Sequence, residues 1–205
     1  MLNKVHDLVI RGKARLITAA VAEALENGCA PADILSTMIA GMDVVGERFQ
    51  NGEIFVPEML IAAKAMKKGV EVLKPHLAAG AAGALGKVVI GTVAGDLHDI
   101  GKNLVAMMIE SAGFEIIDLG VDVPVEKFVS AAQEEGVKIV ACSALLTTTM
   151  PALEATVAAL RAAGKDYRIM VGGAPITQEF ADKIGADAFT ADAAAAAKKA
   201  RELVA

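Results

Sequence analysis

The stretch Gly95-Asp96-Leu97-His98-Asp99-Ile100-Gly101-Lys102-Asn103 decides the fold of this chain. It follows an apolar run at residues 87–93, which predicts a buried parallel strand, and precedes apolar residues at 104–109, which predict a helix. A histidine flanked by two aspartates and bounded by glycines is more polar than packing requires at such a turn. Because open α/β sheets bind ligands at the carboxyl ends of their strands, the stretch predicts a metal or cofactor site.

Strand and helix patterns alternate from residue 87 onward. The predicted strands are 87–93, 114–119, 138–143, 168–171 and 188–189. The predicted helices are 100–111, 125–135, 151–163, 177–184 and 193–203. This alternation predicts an α/β domain over residues 87–205, with a doubly wound, five-stranded parallel sheet of the flavodoxin-like or Rossmann-like kind.

The first 77 residues carry helical patterns only. Asn27-Gly28 predicts a helix end and Pro31 the first turn of the next helix. The pattern predicts a four-helix bundle whose helices lie at residues 3–11, 13–26, 32–49 and 56–75. The apolar face of the second helix is predicted to consist of Leu16, Ile17, Val21 and Leu25. Residues 78–86 are small, uncharged and rich in glycine, which predicts a linker with a hinge at 80–86.

Composition limits the classes of function. The chain has 205 residues, of which 55% are hydrophobic and 3% aromatic, so an aliphatic core is expected. A net charge of −5 disfavours nucleic acid as the main partner. The sequence holds no continuous apolar run long enough to span a membrane and no secretory signal pattern. Cys29 and Cys142 lie far apart, as expected for reduced thiols in a cytoplasmic protein.

Three loops are predicted to meet at one edge of the sheet. They follow the first, third and fourth strands and cover residues 94–99, 142–151 and 171–175. Since parallel strands present their carboxyl ends at the same edge, these loops can converge although they are distant in sequence.

His98 is the candidate metal ligand. An imidazole that binds a metal through one nitrogen needs a carboxylate or carbonyl on the other, and Asp96 can supply it. Asp99 is an alternative partner, or an N-terminal cap of the following helix. One histidine cannot hold a free zinc ion, which requires about four ligands. The pattern therefore favours a metal that is already held by a macrocycle with an open axial position.

Glycines and hydroxyls dominate the other two loops. Gly101, Gly172 and Gly173 indicate either ordinary turns or a large group that approaches the backbone closely. The hydroxyls of Ser143 and residues 147–149 could bind a polar tail, extend a His–Asp relay or cap a helix. Neither a dinucleotide fingerprint nor a phosphate-binding loop motif is present.

The motifs resemble those of a known family. The residues from Asp96 to Gly101 resemble the D-x-H-x-x-G motif of cobalamin-binding domains. Ser143-Ala144-Leu145 and Gly172-Gly173 stand where that family has its S-x-L and G-G elements. Gly52-Glu53-Ile54-Phe55-Val56-Pro57-Glu58 resembles the helical cap of methyltransferase corrinoid proteins. The resemblance covers nearly the whole chain, and methionine synthase has the same pair of modules.

The resemblance implies roles for individual residues. His98 would replace the benzimidazole of cobalamin as the lower cobalt ligand, and Asp96 would hydrogen-bond it. Thr149 stands where several relatives have a relay serine. Together with Asp96 and His98, the cofactor-binding residues implied are Leu97, Asp99, Ile100, Gly101, Ser143, Leu145, Thr147, Gly172 and Gly173. Phe55 and Met59 would cover the upper face of the corrin.

The resemblance also implies a function. The chain would be a carrier without its own substrate site, cycling between Co(I) and methyl-Co(III). Its partners would be a donor-specific methyltransferase, an acceptor methyltransferase and a reductive activation protein. A cobalamin-binding sensor is the main alternative, although no DNA-binding segment is visible. A mutase subunit leaves the helical cap unexplained, and a phosphoacceptor domain leaves His98 unexplained.

Overall fold

The computed structural model of the chain describes residues 1–76 and 85–205, which separate into two units. Of the described residues, the helical unit comprises 1–76 with Glu110–Gly113, and the sheet unit comprises Leu85–Ile109 and Phe114–Ala205. Most of the predicted linker at 78–86 and hinge at 80–86 lies outside the described residues. The division into a cap, a linker and an α/β domain at residues 77, 78 and 87 therefore stays a prediction.

The helical unit contains the four predicted helices. Their bounds are α1 Leu2–Ile10, α2 Ala14–Glu26, α3 Pro31–Gln50 and α4 Val56–Leu73, with a short 3₁₀ turn at Lys74–His76. Helix α2 packs on α4, and α1 packs on α3. As predicted, Gly28 adopts the left-handed conformation after α2, with φ of 81°, and Pro31 is the first residue of α3.

The predicted face of α2 is partly wrong. Leu16 is 57% exposed, whereas Ile17, Ala20, Val21 and Ala24 are buried. Positions 17, 20, 21 and 24 repeat at the helical spacing of three and four residues, and position 16 lies one-quarter turn away. Small alanines on this face let α2 pack closely, so the larger leucines are not needed there.

Within residues 85–205, five parallel strands form one sheet in the order β2-β1-β3-β4-β5. The strands are β1 Lys87–Thr92, β2 Glu115–Asp118, β3 Val137–Ser143, β4 Arg168–Gly172 and β5 Ala188–Phe189. The strand order reverses between β1 and β3, which creates a crevice at their carboxyl ends. In register, Thr92 pairs with Ser143, and Ser143 pairs with Gly172. The three predicted loops therefore leave the sheet side by side.

Helices connect the strands of the sheet unit. They are α5 Ile100–Ser111, α6 Val125–Ala132, α7 Met150–Ala162, α8 Gln178–Ile184 and α9 Ala193–Val204. Val89, Val140 and Ile169 of the central strands are buried with Phe128 and Leu153 from α6 and α7. This aliphatic core confirms the predicted doubly wound architecture. No helix in the described ranges is long and apolar enough to cross a lipid bilayer.

Candidate functional site

Asp96 lies at the centre of the polar site at the carboxyl end of β1. Its side chain is fully buried, and four donors bind its carboxylate. Oδ1 accepts from the His98 amide at 3.1 Å and faces His98 Nδ1 at 2.7 Å. Oδ2 accepts from the Leu145 amide at 2.7 Å and the Thr149 hydroxyl at 2.8 Å. The structure therefore brings together residues from two of the predicted loops.

The hydrogen bonds keep Asp96 ionised. Burial alone raises the pKa of its carboxyl, but the donors from Leu145, His98 and Thr149 outweigh burial and hold the pKa far below its usual range. An ionised carboxylate only accepts hydrogen bonds, so the proton of the shared hydrogen bond lies on His98 Nδ1. Nε2 of a neutral imidazole then carries the free lone pair. The His98 side chain is 49% exposed, which leaves it accessible to a metal.

The low pKa of Asp96 predicts a pH-dependent contribution to stability. Because the folded pKa lies below the unfolded value of about 3.9, ionisation stabilises the fold above that pH and this contribution is lost as the pH falls. We expect the stability difference between the wild type and Asp96→Asn to be largest above about pH 5 and to shrink below about pH 4. Urea unfolding of both apo-proteins at several pH values measures this. A difference that is constant with pH would contradict the assignment.

The turn that carries His98 is held by a side chain of β1. Thr92 is buried, and its hydroxyl donates to the His98 carbonyl at 2.9 Å. Gly95 has φ of 81°, which reverses the chain directly before Asp96. These contacts hold the short polar stretch between β1 and α5 in one conformation.

Thr149 has a single hydroxyl hydrogen and two acceptors within reach. Its Oγ1 lies 2.8 Å from Asp96 Oδ2 and 2.9 Å from the Leu146 carbonyl oxygen. The residue is buried in a 3₁₀ turn, Thr147–Thr149, that immediately precedes α7. Asp96, His98 and Thr149 thus form one continuous chain of hydrogen bonds, as a relay requires.

Asp99 contacts the following helix. Its carbonyl accepts the Asn103 amide at 2.8 Å, and its Oδ2 accepts from Asn103 Nδ2 at 3.2 Å. Of the two alternatives left open by the sequence, these contacts favour stabilisation of the first turn of α5. The partner of His98 is Asp96.

Large apolar side chains are exposed on the same loops. Leu97 is 71% exposed, Ile100 78%, Leu145 37% and Leu146 41%. A Cβ added at Gly101 would meet nothing within 4 Å, so open space lies above the start of α5. Exposed apolar residues next to an open imidazole are typical of a binding surface for a large, partly apolar ligand.

The two predicted loop glycines differ. A Cβ at Gly173, where φ is 132°, would lie 1.8 Å from the Ala144 carbonyl oxygen, so the fold itself requires glycine there. A Cβ at Gly172 would lie 3.6 Å from the Thr190 carbonyl oxygen, which is an ordinary contact. The fold therefore requires glycine at position 173 but not at position 172, so only Gly172 is a candidate for making room for a ligand.

The remaining predicted residues lie in two places. Ser143 ends β3, Thr147 is exposed, and neither hydroxyl has a hydrogen bond to another residue in the described part of the chain. Phe55 precedes α4 in the helical unit and is 68% exposed, while Met59 is 1% exposed and belongs to the interior of that unit. The predicted roles of all four stay predictions.

Family models match both units. One model, described as a B12 binding domain, covers residues 86–200, and a second with the same description covers residues 1–74. The chain belongs to the B12-binding family. Cobalamin is its cofactor, as the sequence predicts.

Relatives and solved structures agree with this membership. This B12-binding chain is 43% identical to dimethylamine corrinoid protein 2 of Methanosarcina mazei, over 100% of the chain and 97% of that protein. It is 42% identical to trimethylamine corrinoid protein 1 of Methanosarcina acetivorans, over 100% and 97%. It is similar to a cobalamin-binding protein from Desulfitobacterium hafniense, with a TM-score of 0.85, 33% identity and coverage of 100% and 99%. A chain of the methanol:cobalamin methyltransferase complex from Methanosarcina barkeri gives a TM-score of 0.84, 30% identity and coverage of 98% and 78%.

The residues of the site fit cobalamin. Across residues 1–76 and 85–205, no three His, Cys, Asp or Glu side chains are grouped closely enough to hold a metal ion by themselves. A metal that arrives in a corrin ring needs only one further axial ligand from the protein, and His98 presents one exposed imidazole. The exposed apolar residues and the space above Gly101 suit the ring of B12.

Two polar residues near the candidate site were missed by the sequence analysis. Asp122, between β2 and α6, accepts the Gly95 amide at 2.7 Å. Lys102 is buried, and its Nζ donates to both carboxylate oxygens of Asp118 at 2.7 and 2.6 Å. The signal was available, because β2 also presents its carboxyl end at this edge. The loop Gly120-Val121-Asp122 that follows β2 was not considered.

Proposed function

We propose that this protein is a corrinoid carrier in which His98 is the lower ligand of cobalt. It shuttles a methyl group between a donor-specific methyltransferase and an acceptor methyltransferase. The observation that carries the proposal is the Asp96–His98 pair, in which Nδ1 is held at 2.7 Å and the ring remains half exposed. A ligand histidine needs this combination of a fixed tautomer and an open second nitrogen.

Bound cobalamin supplies the cobalt centre at which methyl groups are accepted and released. The protein orients that centre through its own residues. Asp96 keeps the proton on His98 Nδ1 and increases the basicity of Nε2. Leu145 and Thr149 fix the carboxylate from its other oxygen, so the imidazole is held in one orientation.

Further residues of the sheet unit support cofactor binding. Leu97, Ile100 and Gly101 offer apolar surface and open space beside His98. On the loop after β3, the hydroxyls of Ser143 and Thr147 are available to the nucleotide tail that histidine ligation displaces. Gly172, next to Ser143 in register, extends that surface.

The relatives support one class of methyl donor over another. Dimethylamine and trimethylamine corrinoid proteins match the full chain at 42–43% identity, whereas the chain from the methanol complex is 30% identical. We therefore assign a methylamine-specific methyltransferase as the donor partner. A carrier of this kind also requires a reductive activation protein, since an oxidised cobalt centre cannot accept a methyl group.

Methyl uptake in a defined system tests the proposal. The chain is loaded with hydroxocobalamin, reduced, and offered dimethylamine, trimethylamine or methanol, each with the corresponding methyltransferase. We expect about one methyl group per chain from a methylamine, and its release when an acceptor methyltransferase and its methyl acceptor are added. Tight cobalamin binding without methyl uptake in any combination would favour the sensor alternative.

Thr149 is predicted to contribute through Asp96. Thr149→Val keeps the shape of the side chain but removes the hydroxyl that lies 2.8 Å from Asp96 Oδ2. Loss of a residue that hydrogen-bonds directly to a metal ligand costs about 10–100-fold, and Thr149 acts one step further away, so we expect methyl transfer to slow by up to about tenfold. Single-turnover rates measure this effect.

The controls for Thr149→Val are two further hydroxyl variants. Thr149→Ser retains the donor and should stay near the wild-type rate. Thr148→Val removes the neighbouring exposed hydroxyl, which has no contact with Asp96, and should have no effect. Equal rates for Thr149→Val and the wild type would refute the role of Thr149.

A further inference from the structure

Asp122 forms two hydrogen bonds with the turn that carries His98. Its Oδ1 accepts the Gly95 amide at 2.7 Å, and its own amide donates to the Asp96 carbonyl at 2.9 Å. The side chain of Asp122 therefore binds Gly95, and its main chain binds the next residue of the turn, Asp96. Neither bond involves the Asp96 carboxylate or the imidazole.

The backbone of Asp122 is unusual. Its φ is 51°, and it is the one non-glycine residue with a positive φ among the residues that the structure describes. Aspartate tolerates this left-handed region better than most residues, but the conformation still costs free energy. Such strain is retained where the surrounding contacts enforce it, and it concentrates at functional sites.

The segment around Asp122 is anchored to its surroundings. The Thr92 amide donates to the Gly120 carbonyl, and the Val123 amide donates to the Thr92 carbonyl, both at 3.0 Å. At the start of the segment, Asp118 binds the buried Lys102 of α5 and also accepts the Gly120 amide at 2.9 Å. The segment 118–122 thus contacts the chain on both sides of His98, at residues 95–96 before it and at residue 102 after it.

We infer that Asp122 is a positioning residue for the Asp96–His98 pair. The inference rests on the proposed role of His98 as cobalt ligand. By fixing the main chain of Gly95 and Asp96, Asp122 determines where the Asp96 carboxylate lies, and the carboxylate in turn orients His98. Loss of this contact lets the carboxylate move, so that His98 binds cobalt less completely while the cofactor stays in its site.

Two variants separate position from charge. Asp122→Gly adopts a φ of 51° without strain and keeps the amide that binds Asp96, but it loses the acceptor for Gly95. Asp122→Asn loses the negative charge but keeps an oxygen acceptor in the same place, and asparagine also tolerates the left-handed region. If Asp122 acts by positioning the turn, histidine binds cobalt less completely in the glycine variant but not in the asparagine variant.

The measurement is the fraction of cobalt bound by histidine. The full chain is produced with nitrogen-15-labelled histidine, loaded with hydroxocobalamin and reduced to Co(II). Electron paramagnetic resonance then distinguishes a labelled histidine nitrogen from the unlabelled benzimidazole. All variants are compared at the acidic pH at which half of the wild-type cobalt is histidine-bound. We expect the ratio of bound to unbound histidine to fall about tenfold in Asp122→Gly and to change less than about twofold in Asp122→Asn.

Asp187→Ala is a matched control. The Asp187 carboxylate also accepts a backbone amide, that of Ile169 at 2.6 Å, but it lies at the amino ends of β4 and β5, the opposite edge of the sheet. The Asp187 variant should have lower thermal stability, but its ratio of bound to unbound histidine should be unchanged. An unchanged ratio in Asp122→Gly, or equal losses in the glycine and asparagine variants, would overturn the inference. If the wild type itself shows no labelled nitrogen on cobalt, the proposed function fails instead.

Discussion

Replacement of His98 by alanine is expected to slow methyl transfer by about 100-fold or more. Loss of a residue that only hydrogen-bonds to a metal ligand already costs about 10–100-fold in activity, and His98 is the proposed ligand itself. The variant loses the proposed axial ligand, but Asp96 loses only one of its four donors, His98 Nδ1, because the amide of residue 98 remains. Cobalamin should still bind, since the apolar residues and hydroxyl-bearing loops proposed to contact the rest of the cofactor are unchanged. Single-turnover transfer and cobalamin binding, measured side by side, separate the two effects.

His6→Ala is the matched control for this variant. His6 lies in α1 of the helical unit, and its imidazole pairs with its neighbour Asp7 at 3.5 Å. Its replacement should leave both the transfer rate and the cofactor spectrum unchanged. A His98→Ala protein that transfers methyl groups at the wild-type rate would show that cobalt is not activated through this histidine.

The largest effect on stability is expected at Gly173. An alanine Cβ would lie 1.8 Å from the Ala144 carbonyl oxygen, at a φ of 132° that L-residues rarely adopt. Either the β3 loop or the β4 loop must move, which costs hydrogen bonds at the centre of the site. We expect the free energy of unfolding of the apo-protein to fall by about 3 kcal/mol or more, as measured by urea denaturation.

Gly172→Ala is the control at the adjacent position. Its added Cβ would make only a 3.6 Å contact with the Thr190 carbonyl oxygen, so stability should change by less than about 1 kcal/mol. If Gly172 lines the slot for the nucleotide tail, this variant should instead bind cobalamin more weakly. Equal destabilisation by the two alanines would contradict the distinction between a glycine that the fold requires and one that serves the ligand.

The fold was predictable because its signals are local. Gly28 and Pro31 mark the ends of two helices, and the apolar runs of β1, β3 and β4 are bounded by polar loops. Parallel strands then place Asp96, Ser143 and Gly172 at one edge without further information. The fold predicts only where polar residues gather, whereas the roles of Asp96 and His98 came from the resemblance of their motif and stay predictions.

What could not be predicted depends on distances between loops. Gly172 and Gly173 are identical in sequence, and only the position of the Ala144 carbonyl distinguishes them. Lys102 is expected at the surface by its type, yet it is buried against Asp118. The contact of Asp122 with Gly95 joins residues 27 positions apart and depends on the strand order β2-β1-β3, which composition does not reveal.

A single spectrum distinguishes histidine from benzimidazole as the lower ligand of cobalt. The wild-type chain with nitrogen-15-labelled histidine is loaded with hydroxocobalamin, reduced to Co(II) and examined by electron paramagnetic resonance. If His98 binds cobalt, the labelled histidine nitrogen splits the lines of the Co(II) spectrum into doublets. We expect this splitting to disappear in His98→Ala and to persist in His6→Ala. The triplet splitting of an unlabelled benzimidazole nitrogen in the wild type would contradict this expectation.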